Sequence, residues 1–567
     1  MLRKAIVVAT LMTLVSLFVA GCATPTPEVI EKVVTKEVEK VVTEVVEVEK
    51  EVTKIVAGTP IVEKVVETKV VEKEVTRIVE AEPSKHGGTL TVGLGAQPST
   101  LNPYGGISGM SGQVLKQSVE TLVQLDKETL KPKPLLATGW EIPDEQTYVF
   151  TLREGVKFHD GTDFNADAVK FVFDYILNPD NASPAASYFD RVESVEIVDD
   201  YKVIFHLTEP FAVLLANLDN RGYIMSPTYL QKAAPEELDA APVGTGPFKV
   251  VEWVRDDKVV LERFADYWDD NLPYLDQLVY KITPDDTVKM IALRTGELDI
   301  IDTVPATEIE AIKEDEELVF VGFESTGYRS IYLNCAAPPF DDVRLRQALA
   351  WAVDRGELIR LGTLGIGKPA YGPLAPPQWA FDPNFRPYMR DLEKVKEILT
   401  EAGAPDGFSF TIKVANNPEE IRMVEVLQQQ FAKAGIELEM ITGEYTALRS
   451  TVIAGDYDAF YVGWLGGADP DSNTWNSFHS EGWFNWVKYS NPEVDRLLDE
   501  ARATSDIERR TELYREAQTI ISDEAPMTFL KYPYYAADGQ ARRLHVMDFV
   551  PGPGQTMEFK KVWLAPQ

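Results

Sequence analysis

The chain has 567 residues and a formal net charge of −34, from 90 acidic and 56 basic side chains. This excess of negative charge argues against a nucleic-acid-binding protein, because phosphates select clusters of Lys and Arg. It is typical of a soluble extracytoplasmic protein that acidic surfaces repel. A chain of this length exceeds a single hydrophobic core, so we expect two or three domains.

The N-terminus is typical of a signal peptide over residues 1–21. A short positive segment precedes an apolar run over 5–20 that has no charge and is shorter than a membrane span needs. The run ends in "VAGC" (19–22), which resembles the bacterial lipoprotein cleavage box. The resemblance implies lipidation of Cys22, which would anchor the chain to a membrane without a spanning helix. The other cysteine, Cys335, then has no disulfide partner, and we expect it to be a small buried residue.

Residues 22–86 are predicted to form a lipid-anchored stalk or linker. The stretch 28–82 consists mainly of Val, Glu, Lys and Thr, and "KEVTKIV" (50–56) returns as "KEVTRIV" (73–79). Apolar residues from Val34 to Ile55 alternate spacings of four and three, the a/d stripe of a coiled coil. Valine is a poor helix former, so two interpretations stay open. The stalk is either a self-associating coiled coil or a weakly ordered spacer.

The remaining chain alternates strand and helix patterns, which predicts an α/β fold. "GTLTVGLG" (88–95) alternates like a strand, and "NADAVKFVFDYIL" (165–177) has an apolar helical face after the N-cap Asn165. Further on, "FSFTIKV" (408–414), a helix beginning at Pro418 and "IELEMI" (436–441) form a strand–helix–strand unit. Such a unit implies a parallel strand pair with a right-handed crossover.

The segment "YVGWLGGADPDSNTWNSF" (461–478) follows a predicted strand, at the end where open α/β sheets bind ligands. Its spacing of Asp469, Asp471 and Asn473 imitates the start of a calcium loop. That loop needs Gly at its sixth position and Glu at its twelfth, where Thr474 and Ser480 stand. We therefore expect a turn here and no metal site.

No catalytic or cofactor motif is found elsewhere. "GTLGIGK" (362–368) has P-loop spacing, but Pro369 replaces the magnesium-binding hydroxyl and the segment follows a helix. The five histidines do not stand at metal-ligand spacing, and no G-x-S-x-G elbow occurs. We expect neither an enzyme nor a cofactor. What stands out is a cluster of indoles that suits a pocket for a polar organic ligand, formed by Trp464, Trp475, Trp483 and Trp486.

Six motifs stand in order over 87–567: "GGTLTVGLGAQPSTLNP" (87–103), "FTLREGVKFHDGTDFNADAVKFVFD" (150–174), "PVGTGPFKV" (242–250), "LRTGELDI" (293–300), "YLNCAAPPFDDVRLRQALAWAVDR" (332–355) and "YSNPEVDRLLDEAR" (489–502). Together they resemble family 5 extracellular solute-binding proteins, the dipeptide-, oligopeptide- and nickel-binding receptors of ABC importers. The resemblance implies an extracytoplasmic receptor, lipid-anchored on the periplasmic or outer face, that delivers its solute to a membrane permease.

The resemblance also implies a periplasmic-binding-protein-like fold of type II, with two lobes joined by a hinge and three domains. Domain I would be discontinuous, formed by 87–130, 240–325 and 535–567. Domain II would be 131–239, and domain III would be 326–534.

The site residues follow from the same resemblance. In peptide-binding members, a tryptophan on this strand is followed three residues later by an aspartate. That aspartate pairs with the ligand's α-ammonium group. Trp464 matches the tryptophan, but Gly467 occupies the aspartate's position. Asp469 could serve instead, which would keep a di- or oligopeptide as the expected ligand. Without such a partner, Gly467 favours an uncharged oligosaccharide. Nickel is the least expected solute, because no His or Cys cluster is present.

The full candidate site comprises Trp464, Gly467, Asp469 and Trp475 from domain III, Asn102 near the first loop of domain I, and Tyr535 near the hinge. Two other classes of protein remain as alternatives. One is a secreted hydrolase that uses a pair of carboxylates, and the other is a structural surface lipoprotein that oligomerises through its stalk.

Overall fold

The computed structural model describes residues 36–39, 44–56, 59–71, 75–78, 85–540, 544–545, 548–549 and 557–565. The chain divides into two compact units, residues 1–84 and 85–567. The predicted signal peptide and Cys22 lie outside the described residues. In the part of the chain that is described, no helix is both long and apolar enough to cross a bilayer.

The described part of the first unit consists of β-strands. Glu44–Val56 pairs antiparallel with Thr59–Val71, and Lys36–Glu39 pairs with Val75–Ile78. The coiled-coil interpretation is therefore wrong for these residues. The physical reason is that β-branched Val and Thr favour extended backbone. Val48 and Val52, which fit the heptad, are also an even number of residues apart, so they equally fit the period of two of a strand.

A seven-stranded sheet collects strands from distant parts of the second unit. In spatial order they are Phe248–Val254, Lys258–Arg263, Gln277–Ile282, Thr89–Leu94, Ile300–Ile301, Tyr534–Gln540 and Leu318–Glu324. Thr89–Leu94 is parallel to both of its neighbours. Its alternating Leu90, Val92 and Leu94 are fully buried, as the strand pattern predicts.

A four-stranded antiparallel sheet lies within 137–207. Its order is Val192–Asp199, Lys202–Leu207, Thr147–Leu152 and Ala137–Asp144. Helix Ala166–Leu177 packs on it through its apolar face, which includes the fully buried Val169 and Phe173. The predicted N-cap is confirmed, because the Asn165 side chain accepts a hydrogen bond from the amide of Ala168.

A six-stranded sheet is formed by strands that lie between residues 328 and 532. Its order is Lys368–Pro369, Met527–Tyr532, Tyr328–Leu333, Ala459–Trp464, Phe408–Ala415 and Ile436–Gly443. The predicted strand–helix–strand unit is confirmed, since Phe408–Ala415 runs parallel to Ile436–Gly443 and helix Pro418–Ala432 connects them. Ala459–Trp464 is also parallel to Phe408–Ala415, so three strands end at one edge.

The chain passes between the seven-stranded and six-stranded sheets twice. It crosses between Glu324 and Tyr328, and again between Tyr532 and Tyr534. The two crossings touch, because the amide of Ser325 donates to the carbonyl of Pro533 at 3.0 Å. The domain boundaries given above stay a prediction.

The other described helices and short strands complete the second unit. The helices are Gly109–Ser118, Leu214–Arg221, Pro227–Leu230, Pro235–Ala240, Asp286–Thr295, Ile309–Lys313, Val343–Ala352, Arg355–Gly362, Leu392–Glu401, Tyr445–Ile453, Asp471–Phe478, Pro492–Ala503 and Ile507–Glu524, with 3-10 turns at Pro179–Asn181 and Pro184–Tyr188. Short antiparallel pairs join Val123–Leu125 to Pro132–Pro134, Leu544–His545 to Trp563–Leu564, and Asp548–Phe549 to Met557–Glu558. Cys335 is a free, partly buried thiol packed against the core, and burial raises its pKa to about 11.

Candidate functional site

The carboxyl ends of three parallel strands meet at one edge of the six-stranded sheet. Trp464, Ala415 and Gly443 are the last residues of these strands. An open pocket of about 400 Å³ lies at this edge, lined by Ala415, Asn416, Asn417, Glu420, Glu444 and Tyr445. Such an edge is where open α/β sheets place their ligands.

The two carboxylates of this pocket differ in their partners. Glu444 caps helix Tyr445–Ile453 by accepting a hydrogen bond from the amide of Ala447 at 2.9 Å, and backbone hydrogen bonds hold its pKa below the usual value. The Glu420 carboxylate accepts no hydrogen bond from any residue that the structure describes. Partial burial raises the pKa of Glu420, and the nearby charge of Arg329 offsets part of that rise. Glu420 is therefore the carboxylate of this pocket that is available to a ligand.

Arg329 connects this pocket to the strand that carries Trp464. Its strand, Tyr328–Leu333, pairs with Ala459–Trp464, and Arg329 stands opposite Gly463. A Cβ atom at Gly463 would overlap the Arg329 guanidinium, so the absence of a side chain makes room for it. The charge of Arg329 also acts on Tyr445 in the pocket wall.

Trp464 is the last residue of its strand, and its side chain is partly buried. Its ring meets Phe484 edge-on at a centroid distance of 4.6 Å. Its buried Nε1–H has no hydrogen-bond partner among the described residues. An indole N–H at a ligand-binding edge offers one donor for a polar solute.

The 465–473 loop, which follows Trp464 and includes the first turn of helix Asp471–Phe478, is held by side-chain amides. Asn473 donates to the carbonyls of Thr326 and Pro373, each at 2.8 Å, and accepts from the amide of Gly467 at 3.2 Å. Gln378 donates to the carbonyl of Gly467 at 2.8 Å. The predicted turn is present at Asp469 and Pro470 and leads directly into helix Asp471–Phe478, and residues that lie far away in the sequence fix its geometry.

Both aspartates of this loop are bound by arginines. Asp469 accepts hydrogen bonds from both terminal nitrogens of Arg510, each at 2.8 Å, and Asp471 accepts two from Arg502 at 2.7 and 2.8 Å. Burial is the largest single effect and lowers the pKa of each arginine. The charge of its aspartate, the hydrogen bonds to that aspartate and the nearby Tyr514 together outweigh burial, so the net pKa lies above the usual value. These are charge-assisted fork contacts that neutralise both carboxylates.

Comparison with known proteins identifies the family of this chain. The model described as "Bacterial extracellular solute-binding proteins, family 5 Middle" matches residues 131–485. The chain belongs to this family. It is 34% identical over 451 residues to the glutathione-binding protein GsiB of Salmonella typhi, covering 77% of this chain and 87% of that protein.

Solved structures of family 5 receptors share the mixed α/β fold. Helicobacter pylori DppA in complex with the peptide STSA is 30% identical, with a TM-score of 0.73 over 84% of this chain and 98% of that one. Bacillus subtilis AppA in complex with a nonapeptide is 29% identical, with a TM-score of 0.72 over 85% and 99% of the two chains. The predicted α/β class and family are confirmed.

Two of the predicted ligand contacts, Asp469 and Trp475, have partners within the protein. Asp469 is 9% exposed and both of its oxygens bind Arg510, so it is not free to pair with a ligand's ammonium group. Trp475 stacks on His479 at 4.5 Å and on the Arg502 guanidinium at 3.6 Å. Its Nε1 donates to Asp499 at 3.0 Å. The stacking surface of Trp475 is already in use within the protein.

The other predicted residues have mixed placements. Asn102 makes a local turn, in which its side-chain oxygen accepts from the amide of Tyr104 at 3.0 Å. Tyr535 lies on the strand that follows the second crossing between the sheets, where it pairs with Phe323, and its side chain lies outside the described residues. Trp483 is 58% exposed, whereas Trp486 is 8% exposed and packs in the core. The ligand roles of Asn102, Gly467 and Tyr535 stay predictions.

The sequence reasoning missed Arg329, Glu420 and Tyr445. Glu420 and Tyr445 begin helices directly after two strands of the predicted parallel sheet, and that position was the available signal. Arg329 had no such signal, because its approach depends on the antiparallel pairing with Gly463. Among the described residues, no group of three or more His, Cys, Asp or Glu side chains is placed to hold a metal ion.

Proposed function

We propose that this family 5 protein is the substrate-binding lipoprotein of an ABC importer. It captures a di- or oligopeptide between two lobes and delivers it to a membrane permease, without chemistry on the solute. The observation that carries this proposal is the pocket at the Trp464 edge of the six-stranded sheet, in a chain similar to peptide receptors. The named ligands of its relatives, glutathione and the peptides STSA and a nonapeptide, support a peptidic solute.

Ligand recognition at this edge follows from the side chains that have spare hydrogen-bonding capacity. Glu420 supplies a carboxylate for the ligand's ammonium group, in place of the aspartate that Gly467 replaces. The Trp464 Nε1–H donates to a ligand carbonyl or hydroxyl. Tyr445 and Asn416 add a flat ring and an amide at the pocket wall.

The domain arrangement is part of the same proposal. The seven-stranded sheet belongs to domain I, the four-stranded sheet to domain II and the six-stranded sheet to domain III. The two touching crossings at Ser325 and Pro533 are the hinge. Ligand binding then shifts the open–closed equilibrium towards the closed form.

An oligosaccharide is the second candidate ligand within this family. The observation that favours it is the absence of a free carboxylate in the 465–473 loop, where both aspartates bind arginines. An edge with one indole N–H, an amide and one carboxylate also suits neutral hydroxyl groups.

The test is native mass spectrometry of the purified chain for co-purified solute, followed by calorimetry. The titrants are a dipeptide, a tetrapeptide, their N-acetylated forms and a cello-oligosaccharide. We expect binding of free-amino peptides and weaker binding of the acetylated forms. Selective binding of the sugar would replace the peptide proposal, and turnover of any titrant would contradict a receptor without catalysis.

Anchoring is tested separately on the N-terminus. The Cys22→Ser variant should leave the membrane fraction and appear as unlipidated protein, while its calorimetric affinity for solute stays unchanged. A variant that remains in the membrane fraction would contradict the lipid anchor.

A further inference from the structure

The 465–473 loop touches chain segments that lie outside the six-stranded sheet. Ala468 forms a small apolar cluster with Leu125 and Leu130, and all three are at most 7% exposed. The neighbouring helix Pro492–Ala503 reaches the same side, because the carbonyl of Arg502 accepts a hydrogen bond from the amide of Ala212 at 2.8 Å. These contacts join proposed domain III to domain II and the end of the first segment of domain I.

Each side of this contact is braced from within. On one side, Arg502 is held by the two hydrogen bonds to Asp471 and by stacking on Trp475 at 3.6 Å. On the other side, the Tyr148 hydroxyl donates to the carbonyl of Phe211 at 3.3 Å, next to Ala212. The Arg502 guanidinium also lies 5.9 Å from the Phe211 ring. The groups on both sides of the contact are therefore held in place by contacts within their own side. Less conformational entropy is then lost when the two sides come together.

The buried pairs between arginine and aspartate allow the 465–473 loop to pack against an apolar surface. Free carboxylates at 469 and 471 would need water, and a loop that kept its water could not close on Leu125 and Leu130. Paired with Arg510 and Arg502, both carboxylates are nearly buried, at 9% and 4% exposure. The loop can then present Ala468 to an apolar surface.

We infer that Ala468 and Arg502 form a closure latch with Leu125, Leu130 and Ala212, which joins the two lobes and favours the closed form before ligand binds. This inference rests on the proposed two-lobe function. The latch is separate from the hinge at Ser325 and Pro533. One hydrogen bond and three apolar side chains make a weak contact, so the latch biases the equilibrium without preventing opening.

The latch is tested without ligand, on the full chain after exhaustive dialysis. The variant Ala468→Glu places a charge against Leu125 and Leu130, and Leu130→Glu places one from the opposite side. Both variants should show a larger radius of gyration by small-angle X-ray scattering. Hydrogen exchange of the Ala212 amide should accelerate about tenfold when its hydrogen bond to Arg502 opens freely. The control, Ile507→Glu, makes the same kind of change at a side chain that is 40% exposed and should match wild type.

Far-UV circular dichroism establishes which variants are folded. If either glutamate variant is folded and keeps the wild-type radius of gyration and Ala212 exchange rate, the latch is wrong. A wild-type chain whose Ala212 amide exchanges as fast as an exposed amide would also overturn it. Because no solute is present, these outcomes do not depend on whether the chain binds peptides. A failure of the proposed ligand appears only in the calorimetry.

Discussion

Asp469 and Arg510 form a buried ion pair in which both carboxylate oxygens meet both terminal guanidinium nitrogens at 2.8 Å. Their side chains are 10% and 4% exposed. Arg510 also donates to the carbonyl of Ala501 at 2.9 Å and to the Tyr514 hydroxyl at 3.0 Å. The pair holds the loop at the end of the Trp464 strand to helix Ile507–Glu524, which gives Asp469 a structural role.

Arg510→Ala should therefore destabilise the fold. Removing one partner of a buried pair leaves the other charge unpaired, which costs about 3–5 kcal/mol in the free energy of unfolding. Urea unfolding measures this change. The matched control is Arg509→Ala, whose solvent-exposed pairs with Glu500 and Glu512 should contribute little to the free energy of unfolding. An Arg510→Ala variant as stable as the control would contradict the structural role of Asp469. Asp469 would then again be a candidate ligand contact.

Gly466→Ala should destabilise the same loop through a steric clash. Gly466 has φ 75°, and a Cβ atom there would overlap the carbonyl oxygen of Thr326, which lies in the first crossing between the two sheets. Gly455→Ala is the matched control, since Gly455 has φ 83° with open space around a Cβ atom. The control should cost about 1 kcal/mol from backbone strain alone, and Gly466→Ala should cost more. If the two variants lose the same free energy of unfolding in urea, the close approach of Gly466 to Thr326 does not contribute to stability.

His159 predicts a loss of stability in mild acid. Burial lowers its pKa from 6.5 to about 4, and its Nε2–H donates to the carbonyl of Gly246 at 2.9 Å. The unfolded chain then binds a proton at a higher pH than the folded chain. The stability is fully present above pH 6.5 and falls as the pH drops from about 6.5 towards 4, by at most about 3 kcal/mol.

The measurement for His159 is the unfolding midpoint in urea at pH 7.5, 6 and 5. His159→Phe should flatten this pH dependence relative to wild type. A wild-type slope that persists in His159→Phe would assign the acid sensitivity to other groups.

Glu420→Gln should weaken the binding of peptides that carry a free ammonium group. A charge-assisted hydrogen bond is worth about 1.5–3 kcal/mol, so affinity should fall roughly 10- to 150-fold. The N-acetylated peptide should lose far less. Calorimetry with both peptides separates charge pairing from a general loss of the pocket. Glu425→Gln, an exposed change on the same helix, serves as control, and equal losses for both peptides would argue against an ammonium partner.

The two tryptophans of the 461–478 segment should behave in opposite ways. Trp464→Phe keeps an aromatic ring but removes the Nε1–H, which has no hydrogen-bond partner in the described part of the chain, and solute affinity should fall about tenfold with little change in stability. Trp475→Phe removes the hydrogen bond to Asp499 and part of the stacking with Arg502 and His479. It should lower the unfolding midpoint and leave solute affinity nearly unchanged. The reverse pattern would restore Trp475 as a ligand contact.

The sequence by itself determined the class of this protein, because that information is local. The alternation around Leu90, the N-cap at Asn165 and the strand–helix–strand unit around Pro418 each depend on neighbours within a few residues. The ordered motifs over 87–567 gave the family in the same way. A local pattern can also fit two structures, and the valines between 44 and 56 satisfied both a heptad and a strand.

Only the tertiary structure decided which side chains at the site are free. Arg502 and Arg510 lie 31 and 41 residues from the aspartates they bind, and nothing near "ADPD" indicates them. Glu420 and Arg329 come to the Trp464 edge through sheet pairing, across separations that periodicity does not encode. A carboxylate's availability depends on which charges surround it in space, so the sequence could place the ligand-binding edge but could not choose its residues.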